Sequence, residues 1–399
     1  MDQDTEVLII DDNYDDEKIN YNLKTGVYNV ALCFRKGCDL KNIFTFLKSF
    51  SMVKNEMRIF ILYCKKTVTE IERVYFMALK GMIRTLRIEN PLIKVSIIEL
   101  NEVIGSTDEV KELVLEELSY EYSDVVFYEE NQRKTFDFVE IKEQDYKKME
   151  INKDDVVFIA GYGKLAYLTA EYLQKKYSAK VILSGRHNYE EEQSEFRKKG
   201  LRYYKSDITN YESLKNVISN IIEEYGKIDV VINCAGIIED SFILNKKWDS
   251  FERVLAPKVT GTINLDRVLE KIKLKYFIVY GSISGVVGNI GQVDYSYANS
   301  FIDYFVRYRN VLSKEGRRSG KAIAMNFSYW QNGGMEVDKQ IQKRIFNTWG
   351  IEAIDNQTGM QMFDWILRNS IESAIPLYGN VRKIKNTFLK QYNKDGELK

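Results

Sequence analysis

From Val156 to Phe327 the chain repeats one pattern, a short apolar run followed by a segment of helical periodicity. The runs are "DVVFIAG", "AKVILSGR" (179 to 186), "RYYKSD" (202 to 207), "IDVVINCAG" (228 to 236), "KYFIVYGS" (275 to 282) and "KAIAMNF" (321 to 327). Helical patterns run to Tyr177, then over about 190 to 199, 211 to 225 and 259 to 273, and again from about 295. Apolar runs of strand length alternating with 3.6-period segments read as βαβ units, so this half is a Rossmann-like, doubly wound α/β sheet.

The first part of the chain alternates in the same way through "YNVALCF" (28 to 34), "LKNIFTFLKSF" (40 to 50), "RIFILYC" (58 to 64), "EIERVYFMALKGMIRTLRIE" (70 to 89) and "IKVSIIEL" (93 to 100). It predicts a smaller parallel sheet. After its first strand, "ALCFRKGCDLKN" offers one glycine and no fingerprint spacing, so this half reads as α/β without a cofactor. Residues 112 to 145 give a helix and then strands in a charged setting, and the boundary falls near residue 150.

A length of 399 residues with 45% apolar content suits two core-forming units. Lys plus Arg equals Asp plus Glu at 58 each, so no net field draws the chain toward nucleic acid or an anionic membrane. His187 is the only histidine, and Cys33, Cys38, Cys64 and Cys234 lack metal-ligand pairing, which excludes a zinc site and any histidine-based triad. No apolar stretch approaches the roughly 20 residues of a membrane span, and the acidic opening "MDQDTEVLIIDD" lacks the cationic start of a signal peptide. A cytoplasmic, reduced protein is expected.

Within "VVFIAGYGKLAYLTAEYL" a strand passes through Gly161 and Gly163 into a helix, the arrangement in which backbone N–H groups and the helix dipole face an anion. By itself this turn also suits a ligand-free junction. Three other strand ends point to the same sheet edge. Ser184-Gly185-Arg186 puts a cation where NADP carries its 2'-phosphate, Asp207 stands where an adenine amino group would lie, and Asn233-Cys234-Ala235-Gly236 closes the fourth strand.

The stretches "NCAGIIEDSFILNKKWDSFERVLAPKVTGTINL", "YGSISGVVGNIGQVDYSYANSFIDYF" and "AMNFSYWQNGGM" resemble the ketoreductase domains of modular polyketide synthases, most of all those lacking built-in acyltransferases, within the short-chain dehydrogenase/reductase superfamily. "VYFMALKGMIRTLRIENPLIKVSIIEL" resembles the truncated structural subdomain that precedes the catalytic one in that family. The resemblance implies a structural subdomain over 1–150, a catalytic subdomain over 151–382 and a polar linker over 383–399.

It also implies hydride delivery from NADPH to a ketone and proton delivery to the resulting alkoxide. A tyrosine phenol, ordinarily with a pKa of about 10, serves as the acid when a cation eases phenolate formation. Tyr295 fits that role, Ser282 would polarise the carbonyl, Lys258 in "APKVTG" would supply the cation, and Asn299 would order the water chain that reprotonates the phenol. In most of the superfamily the lysine lies four residues after the tyrosine; here Asn299 holds that place, an exchange these ketoreductases share. The cofactor shell so implied is Gly161, Gly163, Lys164, Leu165, Arg186, Asp207, Ile208, Asn233, Ala235, Lys258 and Tyr295.

The implied substrate is a ketoacyl thioester on the phosphopantetheine arm of an acyl carrier protein, with neighbouring synthase domains as partners. Ile238-Glu239-Asp240 keeps the last aspartate of the Leu-Asp-Asp signature of relatives that make the D-configured alcohol, and Val287 stands where the opposite class has tryptophan. Asp240, Val287, Gln292 and Met335 are the implied substrate-side residues, and "NGGMEVDKQIQKRIFNTWGIEAI" (332 to 354) reads either as a lid or as a plain amphipathic helix.

The phosphate loop departs from the family pattern, Thr-Gly-Gly-x-Gly-Gly-Leu-Gly, at Ala160, Lys164 and Ala166. A methyl group where the backbone needs positive φ or close approach costs on the order of 1 kcal/mol or more and crowds the pyrophosphate, whereas Lys164 adds a cation beside the phosphates. The first effect points to a non-reducing scaffold, the second to a working reductase; a free-standing dehydrogenase is a third reading, opposed by the cofactor-free first half.

Overall fold

The computed structural model describes residues 6–10, 29–34, 37–130, 132–136, 138–141, 150–187, 200–334 and 337–392. The helix expected over about 190 to 199 and the residue Met335 lie outside them. In chain order the first elements are β1 (Val7–Ile10), β2 (Asn29–Phe34), α1 (Leu40–Ser49), β3 (Met57–Cys64), α2 (Glu70–Glu89), β4 (Ile93–Leu100), α3 (Thr107–Ser119), β5 (Val125–Glu129) and β6 (Gln132–Thr135). There follow β7 (Val156–Ala160), α4 (Lys164–Tyr177), β8 (Lys180–Gly185), β9 (Leu201–Lys205), α5 (Tyr211–Tyr225), β10 (Val230–Asn233), α6 (Trp248–Leu255), α7 (Thr260–Val268), β11 (Tyr276–Ser282), α8 (Ser284–Val287), α9 (Val293–Lys314), β12 (Lys321–Phe327), α10 (Lys339–Trp349), α11 (Asn356–Arg368) and β13 (Ser373–Ala374).

The chain divides into two compact units that exchange segments. The first comprises Met1–Phe136, Glu239–Phe251 and Ser284–Phe301; the second comprises Asp137–Ile238, Glu252–Ile283 and Ile302–Lys399.

In the first unit six strands run in the order β1-β2-β3-β4-β5-β6, all parallel except the β5–β6 pair. The leading strand β1 went unforeseen, because Val7–Ile10 is too short an apolar run to stand out from its acidic surroundings. Alternate residues of β3 are covered from both sides. Phe60 and Leu62 share a core with Val110 and Val114 of α3, while Tyr63 stacks on Phe76 of α2 at 4.4 Å between ring centroids. Helix α2 is capped as its sequence dictates, with Thr69 and Glu72 bonding each other's backbone N–H groups in a capping box.

The second unit holds a seven-stranded sheet in the order β13-β12-β11-β10-β7-β8-β9, parallel throughout. The order reverses between β7 and β10, which makes the carboxyl ends of those two strands a topological switch point. Val157, Ile159, Val181, Leu183, Val230 and Ile232 are almost wholly buried against α4 and α11 residues such as Ala166, Ala170 and Phe363. From Val381 the described chain is helical to Tyr392, and Phe388 is fully buried with its ring 5.7 Å from that of Trp349. Residues 383–392 of the expected linker are therefore packed, since one aromatic in a polar tail is enough to anchor a turn of helix. No helix among the described residues is long and apolar enough to cross a membrane.

Candidate active site

All the expected cofactor residues except Tyr295 belong to the second unit. Gly161 follows β7 with φ +124°, and its N–H donates to the Ser184 carbonyl of β8 at 2.8 Å. A Cβ there would meet the Ala235 nitrogen and the Cys234 carbonyl carbon at 3.0 Å, so conformation and space both demand glycine. Gly163 is the residue before α4, with extended backbone, open space where a Cβ would go and no side chain capping the helix. Helix α5, by contrast, is capped by Asn210, whose side chain accepts from Ser213 N. Among the described residues no side chain caps the first N–H groups of α4, where exposed Lys164 leads the turn and the half-buried Leu165 follows.

The three missing glycines turn out not to strain the chain. Ala160 is the last residue of β7, and Lys164 and Ala166 lie in α4; none has positive φ. Strand and helix backbone suits any L-residue, so the expected conformational penalty has no place to act. The Lys164 stem lies against Gly334, whose added Cβ would sit 3.5 Å from that of Lys164.

At the neighbouring strand end Arg186 is exposed beyond β8. The Asp207 carboxylate accepts from Thr209 N at 2.9 Å and Thr209 Oγ1 at 2.7 Å, which fixes the turn after β9. Ile208 is buried over Gly261, and Asn264 Nδ2 donates to the Ile208 and Thr209 carbonyls at 3.1 and 3.0 Å. Asn233 works inside the protein: Nδ2 donates to Thr262 Oγ1 at 2.9 Å and Oδ1 accepts from Ala235 N at 2.9 Å. It ties the end of β10 to the start of α7 and shapes the edge.

Lys258 is 5% exposed, and its Nζ donates to the Tyr280 carbonyl at 2.7 Å. Tyr280 lies two residues before Ser282 in β11, so the ammonium stands beside the strand end that carries the serine. Gly236 makes room for it, since a Cβ there would lie 3.0 Å from Lys258 Cε. Burial draws the Lys258 pKa down from 10.5 to about 8.

The first unit holds the remaining candidates. Tyr295 and Asn299 lie one turn apart in α9, and Asn299 Nδ2 donates to the Tyr295 carbonyl at 2.7 Å. The Asn299 Oδ1 is buried and accepts no hydrogen bond among the described residues, an orphan acceptor suited to a water. The helix lies so close under α8 that a Cβ on Gly285 would come within 2.6 Å of the Asn299 Cβ. Val287 is buried in α8. Asp240 and Gln292 are brought together: Gln292 Nε2 donates to the Asp240 carboxylate at 3.1 and 3.3 Å, and Gln292 Oε1 accepts from Asn289 Nδ2 at 2.9 Å. In the second unit, α10 has no buried residue and begins with Asp338 as its cap, the geometry of an amphipathic surface helix.

Sequence reasoning overlooked Glu89, Lys246 and Asp294. A charge inside an otherwise apolar stretch was the available signal, as in "FILNKKW" and "QVDYSY".

The KR domain family model matches residues 156–332. Over 332 residues the chain is 32% identical to the polyketide synthase PksN of Bacillus subtilis (strain 168), which covers 81% of the chain and 6% of the relative. Against PksL of the same organism it is 30% identical over 292 residues, 71% of the chain and 6% of the relative. The chain therefore spans about 6% of the length of these curated relatives. Among solved structures, a ketoreductase domain from the bacillaene assembly line superposes with a TM-score of 0.80 at 24% identity, covering 97% of this chain and 95% of that one. An N-terminal ketoreductase from the macrolactin assembly line gives 0.74 at 24% identity, with 93% and 77% covered.

Proposed function

The chain carries a ketoreductase domain of the kind found in polyketide synthases, and from that premise we propose that it reduces a ketoacyl thioester held on an acyl carrier protein to the hydroxyacyl thioester, with NADPH as reductant and the D-configured alcohol as product. The observation that supports the reading most is Lys258, a buried ammonium bonded to the Tyr280 carbonyl of β11 in the unit that also bears the glycine turn. A lysine buried without reaction to serve would be costly, and a cation is what tyrosine-based proton delivery needs.

The residues present fit NADPH. The uncapped start of α4 and the open space at Gly163 suit a pyrophosphate, Gly161 lets the backbone turn beneath it, and Arg186 suits a 2'-phosphate. Bound there, the cofactor supplies the hydride. The chain's own residues then manage the oxygen. Ser282 donates a hydrogen bond to the ketone oxygen, Tyr295 gives up its phenolic proton to the alkoxide, Lys258 stabilises the phenolate by its charge, and Asn299 holds the water that returns a proton to Tyr295. Asp240, held by Gln292, lies on the substrate side and favours one face of the ketone. The neighbouring synthase domains deliver the carrier protein.

The test is NADPH oxidation with a short ketoacyl thioester, with chiral analysis of the product and a parallel fluorescence titration of NADPH. Saturable binding and thioester-dependent oxidation are expected. Absence of binding at millimolar NADPH would support the scaffold reading instead.

A further inference from the structure

Lys246 and Asp294 form an ion pair with 2.8 Å between Nζ and Oδ2, and their side chains are 0% and 1% exposed. The reduction described above uses neither. A buried pair adds little stability over apolar side chains of the same volume, so what it joins is the informative part. Asp294 Oδ1 accepts from the backbone N–H of Tyr295 at 2.8 Å. Lys246 Nζ also donates to the carbonyl of Glu239, the residue before Asp240. One ammonium thus links the backbone beside the proposed substrate-side aspartate to the backbone beside the proposed proton donor.

A second tie joins the same two segments. Glu89, at the end of α2, accepts from Ile243 N at 2.8 Å through one oxygen and from Gly291 N at 2.9 Å through the other. Ser241 N donates to the Gly291 carbonyl at 2.8 Å between these points. Upstream on α2, Arg84 donates to the Val286 carbonyl and Thr85 Oγ1 accepts from Asn289 N at 3.1 Å. Gly288, with φ +79°, lets the loop press on α2, since a Cβ there would come within 2.7 Å of Thr85 N.

We infer that Lys246 is a positioning residue for the reduction, fixing the Asp240 loop in one register against the Tyr295 helix, with Glu89 as the second tie. The inference rests on the reductase reading. Register between these segments sets which face of a ketone meets the proton donor, so its loss lowers stereochemical fidelity and kcat while leaving the cofactor's own contacts in the other unit intact.

The test compares the wild-type chain with Lys246→Met/Asp294→Asn, in which no charge is stranded and an acceptor for Tyr295 N–H remains, and with Glu89→Gln. NADPH affinity, kcat, KM and the enantiomer ratio of the reduced thioester are measured. The double variant is expected to lose about 10-fold in kcat and raise the minor enantiomer about fivefold, with NADPH affinity within about twofold of wild type. Glu89→Gln, which replaces one acceptor by a donor facing a backbone N–H, is expected to raise the minor enantiomer about twofold. Wild-type kcat and product ratio in the double variant overturn the inference alone. If the double variant does not fold, Glu89→Gln decides, and an unchanged ratio overturns it. A wild-type chain that reduces nothing overturns the reductase reading, and the positioning role with it.

Discussion

The two sheets are built from the same alternation of strand and helix yet differ in one topological respect. In the first, strand order runs straight from β1 to β6; in the second, it reverses between β7 and β10. Only the reversal leaves two strand ends diverging with helices leaving to opposite sides, and there the positive-φ Gly161 precedes a helix that no side chain caps. The first unit contributes something different, the buried Lys246–Asp294 pair and the half-buried Glu89, which bond backbone near Asp240 and Tyr295 on segments returning to it late in the chain. Similar secondary structure therefore yields, through connection order and local charge, the unit to which we assign the cofactor and the unit that carries the proposed proton donor.

That division can be broken by substitutions that act on the wrong side. The largest effect is expected for Tyr295→Phe, which should lower thioester reduction by about 100-fold or more and leave NADPH affinity unchanged. Reduction at the wild-type rate would remove the first unit from the chemistry. Gly161→Val should do the reverse. With φ +124° and backbone at 3.0 Å, it should weaken NADPH binding about 10-fold and cost roughly 1–3 kcal/mol of stability, whereas Gly163→Ala should change folding little. Fluorescence titration and thermal melts separate the two.

Lys258 sharpens the comparison through pH. Its folded pKa of about 8 lies below the ordinary 10.5, so the folded chain releases this proton before the unfolded one does. Activity that needs the cation should fall as pH rises through about 8, while the stability of the free chain should rise between about pH 8 and 10.5. In Lys258→Met both trends should vanish, which pH-rate profiles and melts across that window will show. The smallest effect is expected for Ala166→Gly, which restores a family glycine within α4. It should lose on the order of 1 kcal/mol of stability without tightening NADPH binding by more than about threefold, because the helix never required glycine at that position. A large gain in affinity would show that Ala166 crowds the pyrophosphate.

Much of this was legible from local pattern. The helices over residues 70 to 89 and 211 to 225 and the strand over 321 to 327 fall where their periodicity and caps place them. The glycine turn and the strand-end residues could be named for the same reason, whereas Tyr295, Ser282, Lys258 and Asn299 were named only through the resemblance to a family. What sequence obscured were Glu89, Lys246 and Asp294. A helix-end glutamate and two charges in apolar stretches look like surface positions, and their partners lie on segments some 50 to 200 residues distant.

The sequence by itself determined the alternating architecture, the family resemblance and the identity of the chemical groups, because apolar period and turn chemistry act over a few residues. Tertiary structure alone decided that Glu239–Phe251 and Ser284–Phe301 belong with the first unit, that Ala160, Lys164 and Ala166 sit on unstrained backbone, and that Lys246 and Glu89 join Asp240's loop to Tyr295's helix. Those outcomes depend on which distant backbone groups meet a buried charge, and no periodicity in a chain encodes that meeting.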